Sequence, residues 1–278
     1  MERHRSPAGI TLVEVVVILL IAIAVSVLLM LKVTSSRESS RRMECEENLR
    51  VISAALQSYS LVSGYLPIGT QNPTAPIESL PNGYHHNWAE ALLPMLDQQE
   101  TFDQIHFDSS VYAPINAPVA ELSLQNFRCS ASANKLTINA TTYTGVVGSQ
   151  AAPIDENTDG MFSLNRWRSL RDAEDGQSFV LSIAEKSVDF PGPTNWNSGT
   201  RASLRNAGHP INRSFVERPP EVTDVGGFSS NHIGGAYLAF VDGSFRFFSE
   251  ATDQQLLQDL ASRKDAAAAA ESSDANQE

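Results

Sequence analysis

Gly9-Ile10-Thr11-Leu12-Val13-Glu14 leads without a break into Val15-Val16-Val17-Ile18-Leu19-Leu20-Ile21-Ala22-Ile23-Ala24-Val25-Ser26-Val27-Leu28-Leu29-Met30-Leu31. The 17 residues from Val15 to Leu31 hold no charge, proline or glycine. Counted from Ile10 the run has 22 residues. As α-helix that is roughly 33 Å, enough for a bilayer core of about 30 Å. A core helix of a globular domain is the alternative, but such a helix is apolar along one face, and this segment is apolar all round. The reading is a membrane-spanning segment over residues 10–33.

The flanks of this run are unlike those of an ordinary secretory signal, in which a small-residue cleavage site follows the apolar stretch. Here Lys32, Arg37 and Arg41 follow it, and the small residue, Gly9, precedes it behind a leader carrying Arg3 and Arg5. Glu14 is the odd residue. A carboxylate in hydrocarbon is costly and by default functional. One reading is a Glu snorkelling at the bilayer edge. The sharper one pairs Glu14 with an α-ammonium exposed at Ile10, four residues back on the same helical face or on a neighbouring subunit. Arginines and lysines on both sides leave the orientation open by charge alone.

Gly9-Ile10-Thr11-Leu12-Val13-Glu14 resembles the cleavage and methylation segment of type IV prepilins and pseudopilins, with Ile10 where phenylalanine is usual. The resemblance implies cleavage between Gly9 and Ile10 by a prepilin peptidase, N-methylation of Ile10, and Glu14 as the assembly carboxylate. It also implies other pilin-like subunits as partners. It places the leader 1–9 in the cytoplasm, the single pass in the inner membrane, and the bulk of the chain in the periplasm or cell exterior.

No proline or glycine occurs from Ile10 until Gly64. Cys45, Leu49, Ile52, Leu56 and Tyr59 are spaced 4, 3, 4 and 3 apart, a one-sided apolar stripe at helical period. The expectation is one continuous helix from Ile10 to about Ser63, its second half (residues 34–63) a stem whose stripe packs on a head. Beyond Gly64, prolines chop residues 65–120 into short pieces. Trp88 to Gln99 predicts a short helix broken at Pro94, and 124–129, 143–147 and 179–185 predict strands. Ala236 to Val241 and Ser244 to Phe248 flank Asp242-Gly243, a strong hairpin signal with both turn residues expected at positive φ. The head is expected over 64–260 and a flexible tail over 261–278. The fold class expected is α+β, type IV pilin-like, a long N-terminal helix packed on an antiparallel sheet.

His232 precedes Asp242-Gly243 by nine residues, with Gly234-Gly235 between. That spacing is similar to the His-nine-Asp-Gly domain of bacterial prepilin-processed proteins, the domain of unknown function 1559. Cys45-Glu46-Glu47-Asn48-Leu49, the segment from Trp88 to Gln99, Phe127-Arg128-Cys129 and Tyr143-Thr144-Gly145 occur in similar order. The turn after Cys129 reads Ser-Ala-Ser, a departure from the Pro-Ser-Asp usual there.

Candidate chemistry is sparse. Cys45 and Cys129 are read either as one disulfide between stem and sheet, suited to an oxidising compartment, or as two buried thiols. Asp155, Asn157, Asp159 and Gly160 match the first half of a calcium loop, but Arg166 stands where the bidentate Glu would. A polar turn is the alternative, and Ca2+ is the sole cofactor considered. His232 with Asp242 or Ser244 is a conceivable catalytic set. No metalloprotease, hydrolase-elbow or phosphate-loop motif accompanies it, and the chain is not read as an enzyme. Trp88, Trp167 and Trp196 are read as core in preference to a carbohydrate face. With 20 Lys+Arg against 32 Asp+Glu, net −12, the chain lacks the basic face of a nucleic-acid binder. The function expected is that of a prepilin-peptidase-processed pseudopilin-like protein in a pilus-like or type II secretion-like system. The alternative is a membrane-anchored capture protein that does not polymerise.

Overall fold

The computed structural model describes residues 12–132, 137–188, 194–214 and 218–264, without side chains at 27–29 and 31–37. Gly9, Ile10, the leader and the tail beyond 264 lie outside the described residues. The long helix α1 runs Leu12–Ser63. Gly64 ends it at φ +83°, its N–H bonded to Ser60 O at 2.9 Å, a conformation that glycine adopts without strain. Cys45, Leu49, Ile52 and Leu56 are buried and Tyr59 packs on them, so the stripe is the face α1 turns to the core. Leu12 to Val25, by contrast, is exposed wherever its side chains are described. Among the described residues no helix is long and apolar enough to cross a membrane.

Short elements follow. Helix α2 (Trp88–Ala91) is opened by a capping box in which Asn87 accepts from Ala89 N and Glu90 N while Glu90 reaches back to Asn87 N. Pro94 then forces a 3-10 turn over Leu93–Leu96. Helices α3 (Gln99–Asp103) and α4 (Ala117–Ala120) are single turns.

The sheet comprises β1 (Tyr143–Gly148), β2 (Leu181–Glu185), β3 (Leu204–Asn206), β4 (Gly235–Phe240) and β5 (Phe245–Ser249), in the order β3-β1-β2-β4-β5. It is mixed, which corrects the antiparallel expectation: β3 pairs parallel to β1, and the other pairs are antiparallel. A parallel partner requires the chain to return to the end of the sheet where β1 began, and antiparallel β2 carries it back there before β3. The expected strand over 124–129 is also corrected. Gln125–Phe127 is a 3-10 turn, and the chain meets Thr142, just before β1, through Thr142 N and Oγ1 to Phe127 O and Cys129 N to Thr142 Oγ1. At the β4–β5 turn only Gly243 has positive φ (+87°), with Gly243 N donating to Phe240 O and Phe240 N to Ser244 O. The connection is therefore a type I turn with a left-handed glycine, and not the two-residue turn expected.

Alternation along β4 makes the sheet two-faced. Tyr237, Ala239 and Val241 join the core under α1. Ala236, Leu238 and Phe240 join a second core with Val146, Leu181, Phe228 and Leu257. This second core is covered by α5 (Gln254–Ala261), an amphipathic helix capped by Asp253, whose side chain accepts from Leu256 N. The expected tail thus begins inside a packed helix. Arg263 N bonds Asp159 O, and Glu174 N bonds Arg263 O, so the head continues past residue 260.

Candidate functional site

A buried cluster of charge lies where α1 crosses the sheet end at β2 and β4, around His232. The ring is wholly buried. Its Nδ1 stands 3.1 Å from Glu38 Oε1 on α1, and its Nε2 stands 3.5 Å from Glu185 Oε1 at the end of β2. The same Nε2 lies 3.4 Å from Cys129 Sγ, and Cys129 is joined to Cys45 of α1 by a disulfide with Cα atoms 5.3 Å apart. Tyr237 meets the ring edge-on at 5.8 Å. Each nitrogen faces a carboxylate, an arrangement that favours the doubly protonated imidazolium. Burial opposes that charge, but Glu185 and Glu38 outweigh it and hold the His232 pKa above the ordinary imidazole value. Burial also raises Glu38, and His232 and Arg42 more than reverse this, leaving its carboxyl below the usual range.

Around this centre the stem is gripped repeatedly. Arg42 bonds Glu38 at 3.4 Å, donates to Ile233 O at 3.1 Å and lies over the Phe247 ring. Tyr237 donates its hydroxyl to Glu46 at 2.6 Å, Tyr143 to Cys45 O, and Asn48 its amide to Arg128 O. At the far end Gln57 donates to Val241 O, beside the Asp242-Gly243 turn. Asp242 fixes that turn: its carboxylate accepts from Ser178 Oγ, Ser244 N and Ser244 Oγ. Burial raises its pKa, and these three bonds bring it below the usual carboxylate value.

The nine-residue interval then has a geometric meaning. A turn with Gly234 at φ +85° carries the chain from His232 into the six residues of β4, which span about 20 Å. The 19 helical residues from Glu38 to Gln57 span about 28 Å. The motif meets this helix at two separated points, His232 at Glu38 and Val241, beside the Asp-Gly turn, at Gln57. His232 and Asp242 are consequently held apart by the length of β4, about 20 Å. The structure does not bring His232 together with Asp242 or Ser244.

The other sequence candidates are dispersed. Asp159 accepts from Ser149 N and Oγ, and Asp155 from Asn157 N and Nδ2. Asp155 thus braces its own loop at Asn157, and Asp159 ties that loop to Ser149. Trp88 and Trp196 are core, whereas Trp167 is half exposed. Trp167 lines a cleft of about 180 Å³ with Tyr59, Phe102 and Phe107. Glu14 lies in the first turn of α1. Sequence reasoning missed Glu38, Glu46 and Glu185. Glu38 had a signal, since it stands seven residues before Cys45, in line with the apolar stripe.

A family model described as "Protein of unknown function (DUF1559)" matches residues 34–255, which is 222 of the 278 residues. The chain belongs to this family. The DUF1559 match begins after the apolar run, and it includes every member of the clasp: Glu38, Cys45, Cys129, Glu185, His232 and Asp242-Gly243. No curated protein and no solved structure matches the chain.

Proposed function

We propose that the chain is a prepilin-peptidase-processed, pseudopilin-like structural protein. It is anchored in the inner membrane by residues 10–33, with its head in the periplasm or cell exterior, and it assembles with like subunits through α1 in a pilus-like or type II secretion-like system. The observation that carries this reading is the division of α1. Its second half is fastened to the head by a disulfide, an imidazolium and an apolar stripe, while Leu12 to Val25 exposes Leu12, Val13, Ile18, Leu20, Ile21 and Ile23 to at least half of their full extent. Such a surface calls for lipid or the helices of neighbours. A disulfide suits an oxidising compartment, in keeping with a head outside the cytoplasm. The clasp gives the assembly its mechanics, because force applied to the helix is passed to the head without peeling it off the sheet.

Glu14 is the assembly carboxylate in this reading. Glu14→Gln is expected to leave the protein in the membrane fraction but to abolish the ladder of cross-linked oligomers that the wild type gives with a membrane-permeant cross-linker. An unchanged ladder would contradict the assembly role. The second reading, a membrane-anchored capture protein that does not polymerise, is favoured by the aromatic cleft at Trp167. It expects no ladder from either protein.

A further inference from the structure

We propose that reduction of the Cys45–Cys129 bridge opens a site for a zinc-type divalent cation, held by Cys45 Sγ, Cys129 Sγ, His232 Nε2 and Glu185 Oε1. These four atoms lie within 4.8 Å of one another, and all four residues are buried. Bond lengths of about 2.0–2.3 Å place neighbouring ligand atoms on a tetrahedral zinc roughly 3.3–3.8 Å apart. Two edges already have that length: Nε2 to Cys129 Sγ at 3.4 Å and Nε2 to Glu185 Oε1 at 3.5 Å. The bonded edge between the two sulfurs must open, and cleaving the bond allows it.

The surroundings are also those of a ligand set. Glu185 Oε1 is buried, and the group 3.5 Å from it is His232 Nε2, whose proton leaves on cation uptake and so frees the carboxylate oxygen for the metal. Its other oxygen is fixed by Tyr237 N at 2.8 Å. His232 is aimed from behind by Glu38 at Nδ1, the carboxylate–histidine arrangement that orients metal-bound imidazole. The donors come from α1, the turn after Phe127, β2 and the loop before β4, so a cation here would join the same segments that the disulfide and the imidazolium join now. Two sulfurs and an imidazole suit zinc, and not calcium, which takes six to eight oxygens.

The chemistry balances with a dithiol as reductant. It gives two electrons to the sulfur–sulfur bond and is left as its own disulfide, while one proton goes to each cysteine sulfur. Cation uptake then releases both thiol protons and the Nε2 proton to solvent.

Cobalt(II) is the probe. The full chain, reduced with a dithiol and shown by circular dichroism to remain folded, is expected to bind one cobalt per chain with strong thiolate-to-metal absorption and the visible bands of a tetrahedral site. Glu185→Gln is expected to weaken binding roughly 10–100-fold or more, and the unreduced chain to bind none. Because the variant risks unfolding, X-ray absorption of the zinc-loaded wild type is the second measurement. Two sulfur and two nitrogen or oxygen neighbours are expected, at about 2.3 and 2.0 Å. A folded, reduced chain without thiolate absorption would overturn the proposal, as would an all-oxygen shell or equal binding by the unreduced chain.

Discussion

His232→Ala is expected to destabilise the folded head by about 3–5 kcal/mol, the range for breaking a buried ion pair by removing one partner. The variant leaves Glu185 in the interior and Glu38 at its edge facing each other with no cation between them, and it empties the space against the disulfide and Tyr237. The effect depends on pH in a defined direction. The folded-state pKa of His232 lies above its unfolded value near 6.5. The stabilisation it supplies is therefore complete below about pH 6.5 and is lost as pH rises through the folded-state value. Urea unfolding of wild type and variant should show the larger gap near pH 6 and a smaller one near pH 9. A gap under about 1 kcal/mol, or one indifferent to pH, would mean that the imidazolium does not hold the stem.

The second large effect is expected from Cys45→Ala/Cys129→Ala. The bridge closes a loop of sequence separation 84. Native disulfides contribute about 2–4 kcal/mol, with the upper end for long loops. Cys45 and Cys129 are both buried, so their removal also leaves unfilled space in the core. Because Cys129 Sγ touches the His232 ring, combining this change with His232→Ala should cost less than the sum of the two. Strict additivity in urea unfolding would show that disulfide and imidazolium act separately, against the single clasp described here.

Much of the framework is legible in the chain. The stripe from Cys45 to Tyr59 is the packed face of α1, Gly64 is its stop, and Asp242-Gly243 is the turn between β4 and β5. These features rest on local rules of helical period, left-handed glycine and turn chemistry. What the chain hides depends on long-range contact. Strand β3 is three residues long and contains an arginine and an asparagine, so neither length nor alternation marks it, and its parallel pairing follows only from the return of the chain through β2. Helix α5, at eight residues, is too short for Leu257, Leu260 and Ala261 to stand out as a period.

The charged centre was hidden for the same reason. Glu38, Glu185 and His232 are separated by about fifty residues or more along the chain; His232 stands out by its motif, but Glu38 and Glu185 read locally as ordinary polar positions. The His-nine-Asp-Gly spacing was visible as a pattern, but its sense as two contacts at separate points of the stem required α1 and β4 side by side. The departure after Cys129 falls in a 3-10 turn, Ser130–Ser132, that contacts α1 without carrying a clasp side chain.

The proposed pseudopilin requires that processing free Ile10 at the start of the anchor and that the clasp fasten the other end of α1 to the head. Mass spectrometry of the N-terminal peptide, from protein purified out of membranes of a host that has a prepilin peptidase, tests it most directly. The account predicts a mature chain beginning at Ile10 with a methylated α-amine. A chain that keeps Met1, or begins at any residue other than Ile10, would contradict it.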